Sequence, residues 1–259
     1  MTKYKDDKLT LLNFRDLGGL ETQDGKKIKS GRIYRTAIFE PRTQADRDLI
    51  SSMNIDAIID LRSIYELEEV KDDVPNNVEY IHASAFSDGE FGNLVPTKKK
   101  QNALFFMSTK EVESLIPLMH RMYAFLPYAT QAYSPIFKCM NENKNFAFHC
   151  TAGKDRTGVG AMLVELALGR NHDQIVEQYL LSNETRKDWI KRTKFKVSLL
   201  PMSKGKKEFA YFAMGVAQSL IDSAYNAIFE KYQTIDDFLL DVYGITKEQI
   251  DSWKTNYLE

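Results

Sequence analysis

The chain has 259 residues, and 35 lysines and arginines against 36 aspartates and glutamates leave a formal net charge of −1. Hydrophobic residues at 43% and charged residues at 27% fit a globular protein with a sizeable core and exclude wholesale disorder. A near-zero balance supplies no general basic field, so no nucleic-acid partner is expected. Two cysteines, Cys139 and Cys150, exclude a disulfide scaffold and a thiolate-rich zinc site. The four histidines, His82, His120, His149 and His172, show no pair at metal-ligand spacing, so no metal is expected.

The N-terminal stretch MTKYKDDKLTLLNF is charged and lacks the apolar run of a signal peptide. The longest apolar stretch, residues 161–168, is broken by Glu165 and is too short to cross a bilayer. The expectation is a cytoplasmic protein with no integral membrane segment, a leader outside this sequence being left open. The first forty residues are rich in turns, and Asp24-Gly25 predicts a tight turn between short strands. Thr43 predicts a helix cap, with Asp46 as its capping-box partner. Ala57-Ile58-Ile59, running into Asp60-Leu61-Arg62, predicts a buried strand of the parallel-sheet kind. Residues 78–82 and 145–149 predict two more. Helices are predicted over 109–126 and again after Ala132.

That alternation predicts an α/β fold, a mainly parallel central sheet flanked by helices. Beyond residue 157 the strand signal ends. Helices are predicted over 158–168, 173–192, 208–232, 235–243 and 247–257, with Gly169 and Gly244 as stops. The expected organisation is one domain over 1–259, with a sheet-containing part (1–156) and an enlarged C-terminal helical layer (157–259). Charge is uneven there: residues 186–207 hold nine basic and one acidic residue, and 230–259 hold seven acidic and three basic. Two readings stay open, solvated helix faces or a lip attracting a polyanionic substrate.

The run His149-Cys150-Thr151-Ala152-Gly153-Lys154-Asp155-Arg156-Thr157-Gly158 lies between a predicted apolar strand and a helix of small and apolar residues. A loop so placed turns consecutive backbone N–H groups toward one point above a helix N-terminus, which can hold a phosphate dianion without a metal. Gly153 permits the turn, and the planar fork of Arg156 grips two phosphoryl oxygens. The predicted phosphate-binding run is Thr151, Ala152, Gly153, Lys154, Asp155 and Arg156. Cys150 begins the loop, so the same donors favour its thiolate, the nucleophilic form. In loop support, His149 is expected to hold the cysteine loop through a ring N–H, and Thr157 to hydrogen-bond the sulfur. Lys154 either adds charge beside the phosphate or faces solvent. Cys139, among Ile136, Phe137 and Met140, is expected in the core rather than as a redox partner. Tyr211, Phe212 and Met214 are expected in the core or under a lid.

At these residues the chain resembles the cysteine-dependent protein tyrosine phosphatase superfamily, whose signature is HCxxGxxR followed by Ser or Thr. The extended form HCTAGKDRTG, with the stretches Asn13-Phe14-Arg15-Asp16-Leu17-Gly18-Gly19, Ile33-Tyr34-Arg35-Thr36 and Asp60-Leu61-Arg62-Ser63 and the closing pattern 238–258 with Tyr243-Gly244, is similar to its atypical bacterial branch, the family of the mycobacterial protein tyrosine phosphatase B. The resemblance implies one catalytic domain of tyrosine-phosphatase-like fold, metal-independent hydrolysis through a phosphocysteine, no cofactor, and helices near the site acting as a lid. It implies a phosphotyrosine protein as substrate and inorganic phosphate as product, with a phosphoinositide or dual-specificity substrate as the alternative. Ordinary members carry a Trp-Pro-Asp loop, whereas the tryptophans here are Trp189 and Trp253. By resemblance Asp155 is then the first candidate for general acid, with Asp60 and Asp88 as runners-up. Asp155 could instead form a loop-stabilising ion pair, and Asp60 with Arg62 could brace the phosphate loop. A sulfurtransferase is disfavoured by the His-Cys…Arg-Thr pattern, and a phosphate-binding pseudoenzyme by an intact Cys150 and Arg156.

Overall fold

Ala57-Ile58-Ile59 and Phe146-Ala147-Phe148 are apolar at every position, a composition that suits strands covered by helices on both faces. In the computed structural model, which describes residues 10–85 and 107–259, they form β3 (Ala57–Asp60) and β5 (Phe146–His149) of one five-stranded sheet. The other strands are β1 (Arg15–Asp16), β2 (Ile33–Thr36) and β4 (Glu79–His82), in the order β1-β2-β5-β3-β4. Among the described strands only β1 runs antiparallel to its neighbour. The fold is α/β with a mixed, mainly parallel sheet.

The sheet sorts its side chains by the two-residue period of a strand. Ile33, Ala57, Ile59, Phe146 and Phe148 join the larger apolar cluster, while Tyr34, Ile58 and Ala147 face a smaller one with Phe39, Ile50 and Met53. The smaller side is covered by α1 (Gln44–Ser52), whose N-terminus is closed by a reciprocal Thr43–Asp46 capping box as the sequence predicts. A short α2 (Ile64–Glu69) follows β3. The larger side is packed by α5 (Thr130–Asn141), α6 (Arg156–Ala167) and elements that follow. Every residue of α6 is buried, consistent with a helix apolar nearly all round.

Three predicted helices are each broken in two. The 109–126 segment divides at Ser114 into α3 (Thr109–Glu113) and α4 (Leu115–Phe125), where Pro117 has no N–H to continue the ladder. The 173–192 segment divides at Arg186 into α7 (His172–Thr185) and α8 (Lys187–Ser198), and 208–232 divides at the extended Gly215 into α9 (Lys204–Met214) and α10 (Gln218–Phe229). Hydrophobic spacing continues through both breaks. What interrupts the helices is tertiary: the buried Arg186 guanidinium donates to the Met214 carbonyl at 2.8 Å. α11 (Ile235–Tyr243) ends on Gly244 in the left-handed conformation, and α12 (Lys247–Tyr257) closes the chain. Among the described residues no helix is long and apolar enough to cross a membrane.

The end of the chain is tied back to its beginning. Lys27 and Glu259 exchange backbone hydrogen bonds of 2.8 and 2.9 Å across the Asp24-Gly25 turn region. Trp253 stacks on Phe137 with ring centroids 5.7 Å apart, and its Nε1 donates to Asn141 at 2.8 Å. Trp253→Ala should therefore cost about 3–5 kcal/mol, read as a lowered urea midpoint. The folded fraction should keep any activity, because the stacking and hydrogen-bond partners of Trp253, Phe137 and Asn141, lie on α5 and not in the loop after β5.

Candidate functional site

The parallel register aligns Thr36, His149, Asp60 and His82 in one row at the carboxyl ends of β2, β5, β3 and β4. Crevices outside such strand ends are where open α/β sheets bind ligands. Cys150 is the first residue beyond β5 and is buried. The chain then turns through 151–155 and enters α6 at Arg156.

The loop is shaped from below. Gly153 has φ +62°, and a Cβ there would lie 2.2 Å from the Thr36 carbonyl oxygen. Both the conformation and the space demand glycine. Asn13 Nδ2 donates to the carbonyls of Gly153 (2.6 Å) and Ala152 (3.2 Å), and the buried Arg35 donates to Gly153 O at 2.8 Å. In a trans peptide the N–H opposes the C=O. Carbonyls drawn toward Asn13 and Arg35 therefore leave the N–H groups of Gly153 and Lys154 directed to the other side.

Arg156 is fixed by a residue that sequence reading missed. Ser63 caps α2 in a reciprocal box with Glu66, whose carboxylate accepts from Ser63 N at 3.0 Å. The same carboxylate takes both ends of the Arg156 fork: Nη1 donates to Oε2 and Nη2 to Oε1, each at 2.7 Å. Thr151 Oγ1 also donates to Glu66 Oε1, and Arg156 Nη1 reaches the Leu61 carbonyl at 3.2 Å. Burial alone would raise the Glu66 carboxyl; the Arg156 charge and these hydrogen bonds outweigh it and bring it down to about 2. The pattern Ser63-x-x-Glu66 directly after a predicted strand is a capping-box signature, and it was the available signal for this helix and its carboxylate.

Behind the cysteine lies a buried polar group. His149 Nδ1 faces the Cys150 carbonyl at 3.3 Å. Its Nε2 is 3.5 Å from Asp72 and 3.8 Å from Asp60. Arg62 joins the two carboxylates: its Nε lies 3.0 Å from each Asp60 oxygen, and its Nη2 donates to Asp60 at 2.8 Å and also to Asp72. Tyr80 donates to Asp60 at 2.6 Å. Burial would raise the Asp60 carboxyl, but His149, Arg62 and Tyr80 together hold it below the ordinary range. Asp60, Asp72 and His149 have the mutual spacing of a cation site, with the Arg62 guanidinium already supplying positive charge between the carboxylates. Asp60 is fully buried and enclosed by Arg62 and Tyr80.

Asp155 differs. Its side chain is 28% exposed, one oxygen accepts from Tyr123 and the other lies 3.2 Å from Lys154 Nζ. Lys154 is not solvent-facing: it is buried and donates to the carbonyls of Ala213 and Gly215 at 2.8 Å each. The Thr157 hydroxyl is buried without a hydrogen-bond partner, so the expected bond to the sulfur is not formed in this arrangement. Cys139 is buried in the larger core, where burial pushes its thiol up to about 12. Asp88 lies outside the described residues. The structure thus gathers Cys150, Thr151, Gly153, Arg156, His149, Asp60 and Arg62 around one loop and adds Glu66, Asp72, Arg35 and Asn13.

Comparison with known proteins gives a consistent likeness. The model of the tyrosine phosphatase family matches residues 8–259. A protein of Cupriavidus necator assigned as a tyrosine-protein phosphatase is 25% identical over 243 residues, 93% of this chain and 85% of that protein. The triple specificity protein phosphatase PtpB of Mycobacterium tuberculosis is 25% identical over 264 residues, 92% of this chain and 94% of that protein. A tyrosine-protein phosphatase of Nostoc commune is 30% identical over 158 residues, 60% of this chain and 49% of that protein.

Removing the Glu66 charge strands a buried Arg156 charge, a loss on the order of 3 kcal/mol in stability. Because the folded carboxyl is depressed, this contribution is complete above the unfolded value near 4.5 and is lost as pH falls toward about 2. Unfolding curves of wild type and Glu66→Gln should therefore differ by a constant amount above pH 5 and converge at lower pH. A gap that persists at pH 2 would contradict the pairing.

Proposed function

The chain belongs to the tyrosine phosphatase family, and on that premise we propose that it hydrolyses phosphate monoesters through a phosphocysteine on Cys150. The observation that carries this reading is the Arg156 fork, held by two bonds of 2.7 Å to Glu66 and joined by one short loop to a buried cysteine at the end of β5. An arginine immobilised in that way costs little reorganisation when charge develops on a transferring phosphoryl group.

In the first step the Cys150 thiolate attacks phosphorus in line, the S–P bond forms and the ester P–O bond breaks. The leaving oxygen takes a proton from Asp155. Loop N–H groups and Arg156 hold the remaining phosphoryl oxygens. In the second step water gives a proton to Asp155 and its oxygen attacks phosphorus. The S–P bond then breaks, releasing the thiolate and inorganic phosphate. Thr157, whose hydroxyl has no other partner, donates to the sulfur as it leaves. His149 anchors the loop at the Cys150 carbonyl. No step draws on a metal or other cofactor. Asp155 is preferred to Asp60 because it is partly exposed, whereas Asp60 is enclosed by Arg62 and Tyr80.

Residues 1–259 act as one catalytic domain in this reading, supported by an apolar cluster that runs from the sheet strands to Leu258. The lid is sought in α8 and α9, since Lys154 of the loop bonds the carbonyls at the end of α9. A reducing, cytoplasmic compartment suits a free nucleophilic thiol. Phosphotyrosine protein is the first substrate class, on the names of the relatives. A broader range, lipid phosphates included, is the second reading, supported by likeness to a protein named for triple specificity.

Wild type should release phosphate from p-nitrophenyl phosphate in EDTA, and Cys150→Ser should lose about 10³-fold or more. Activity that requires added metal, or that survives the loss of the sulfur, overturns the mechanism. Asp155→Asn should lose much more with phenyl phosphate, a poor leaving group, than with p-nitrophenyl phosphate. Equal losses on both would make Asp155 a structural residue.

A further inference from the structure

The basic segment 186–207 is not absorbed by the chemistry above. Most of it is α8, in which no residue is buried. Ile190, Thr193 and Val197 are half-buried at helical spacing and mark its inner side. Beneath it, between α8 and α9, is a cavity of about 480 Å³ lined in part by Ile190, Lys194, Tyr211 and Phe212.

The outer side is unusual for a soluble surface. Phe195 and Leu199, one helical turn apart, are 65% and 70% exposed. Helical spacing puts Lys191 on one shoulder of this pair, at the edge of that cavity, and Arg192 and Lys196 on the other. None of these three cations has an ion pair among the described residues, whereas Lys187 is 3.8 Å from Glu184 and Lys204 is 3.8 Å from Glu208. The one acid of the helix, Asp188, is exposed and forms no salt bridge among the described residues.

We propose that α8 is a docking helix for an anionic lipid surface. Phe195 and Leu199 enter the interface between headgroups and acyl chains, and Lys191, Arg192 and Lys196 lie against anionic headgroups. Charge complementarity commits the occupant: a purely apolar partner would leave three unpaired cations at the rim, and a purely acidic one would leave Phe195 and Leu199 wet. An amphipathic helix with bulky apolar residues between basic shoulders matches both layers of a bilayer surface. Docking there also orients the candidate site, because Arg186 at the head of α8 bonds the Met214 carbonyl, and the adjoining Ala213 and Gly215 carbonyls are held by Lys154 of the phosphate loop. The proposal concerns binding and stands whether or not Cys150 is the nucleophile.

The test is flotation of the full chain with vesicles of phosphatidylcholine alone or with about 30 mol % phosphatidylserine. Binding is expected only to the anionic vesicles and should fall steeply between about 0.05 and 0.5 M salt. Phe195→Ser/Leu199→Ser and Lys191→Glu/Arg192→Glu should each weaken partitioning by about tenfold or more, while the far-ultraviolet circular dichroism and the urea midpoint stay at the wild-type values. Equal flotation with both vesicle types, no flotation at all, or unchanged flotation of the variants would overturn it. So would a dimer in light scattering that Phe195→Ser/Leu199→Ser abolishes while vesicle binding is absent, which would assign the face to a second copy of the chain.

Discussion

One buried ion pair organises the site. Glu66 receives both ends of the Arg156 fork, so the arginine has a single orientation, and the helix that carries Glu66 is itself fixed by the Ser63 cap. Taking two charges out of water is costly, and their attraction repays that cost only where geometry is good and the remaining hydrogen-bonding groups are met. Here the carboxylate also accepts from Thr151 and Ser63, and Arg156 also reaches the Leu61 carbonyl. The pair therefore joins three segments: the end of β3, the start of α2 and both ends of the loop after β5.

The rest of the architecture follows from holding that loop. Parallel strands bring Thr36, His149 and Asp60 level, and the residues just beyond each strand end share one rim. Asn13 and Arg35 pull loop carbonyls downward, and the hydrogen-bonded Asp60–Arg62–Asp72 group, with His149 Nε2 beside it, fills the space behind the cysteine. Lys154 and Arg186 extend the same restraint outward, gripping three consecutive carbonyls at the end of α9. A movement of α9 is thereby felt at Lys154, in the loop itself.

Much of this was legible in the sequence, for identifiable reasons. Mostly apolar stretches such as 57–60, 145–149 and 158–168 carry their element in their pattern, and the run around Cys150 carries its place as a loop between strand and helix in its residue types. Two kinds of feature were not legible. Short elements, β2 and α2, are too brief for periodicity to register, although the Ser63-x-x-Glu66 cap was a usable sign of α2. Partners brought together by the fold were the other: Glu66 with Arg156 across 90 residues, and Asp72 with Arg62 and His149, have no local signature. The direction taken by Lys154 was likewise invisible, because it depends on carbonyls about sixty residues away. Breaks at Arg186 and Gly215 belong to the same class, since the hydrophobic spacing runs through them unaltered.

The central claim is that the sulfur of Cys150 takes the phosphoryl group while Arg156 and the loop hold it. Rapid acid quench of the enzyme during turnover, followed by peptide mass mapping, tests this directly. The account predicts one phosphoryl group on the peptide containing Cys150, carried by the sulfur and absent from Cys150→Ser. A phosphoryl group on Thr151, on a histidine or on no residue at all, in enzyme that is turning over, would contradict it.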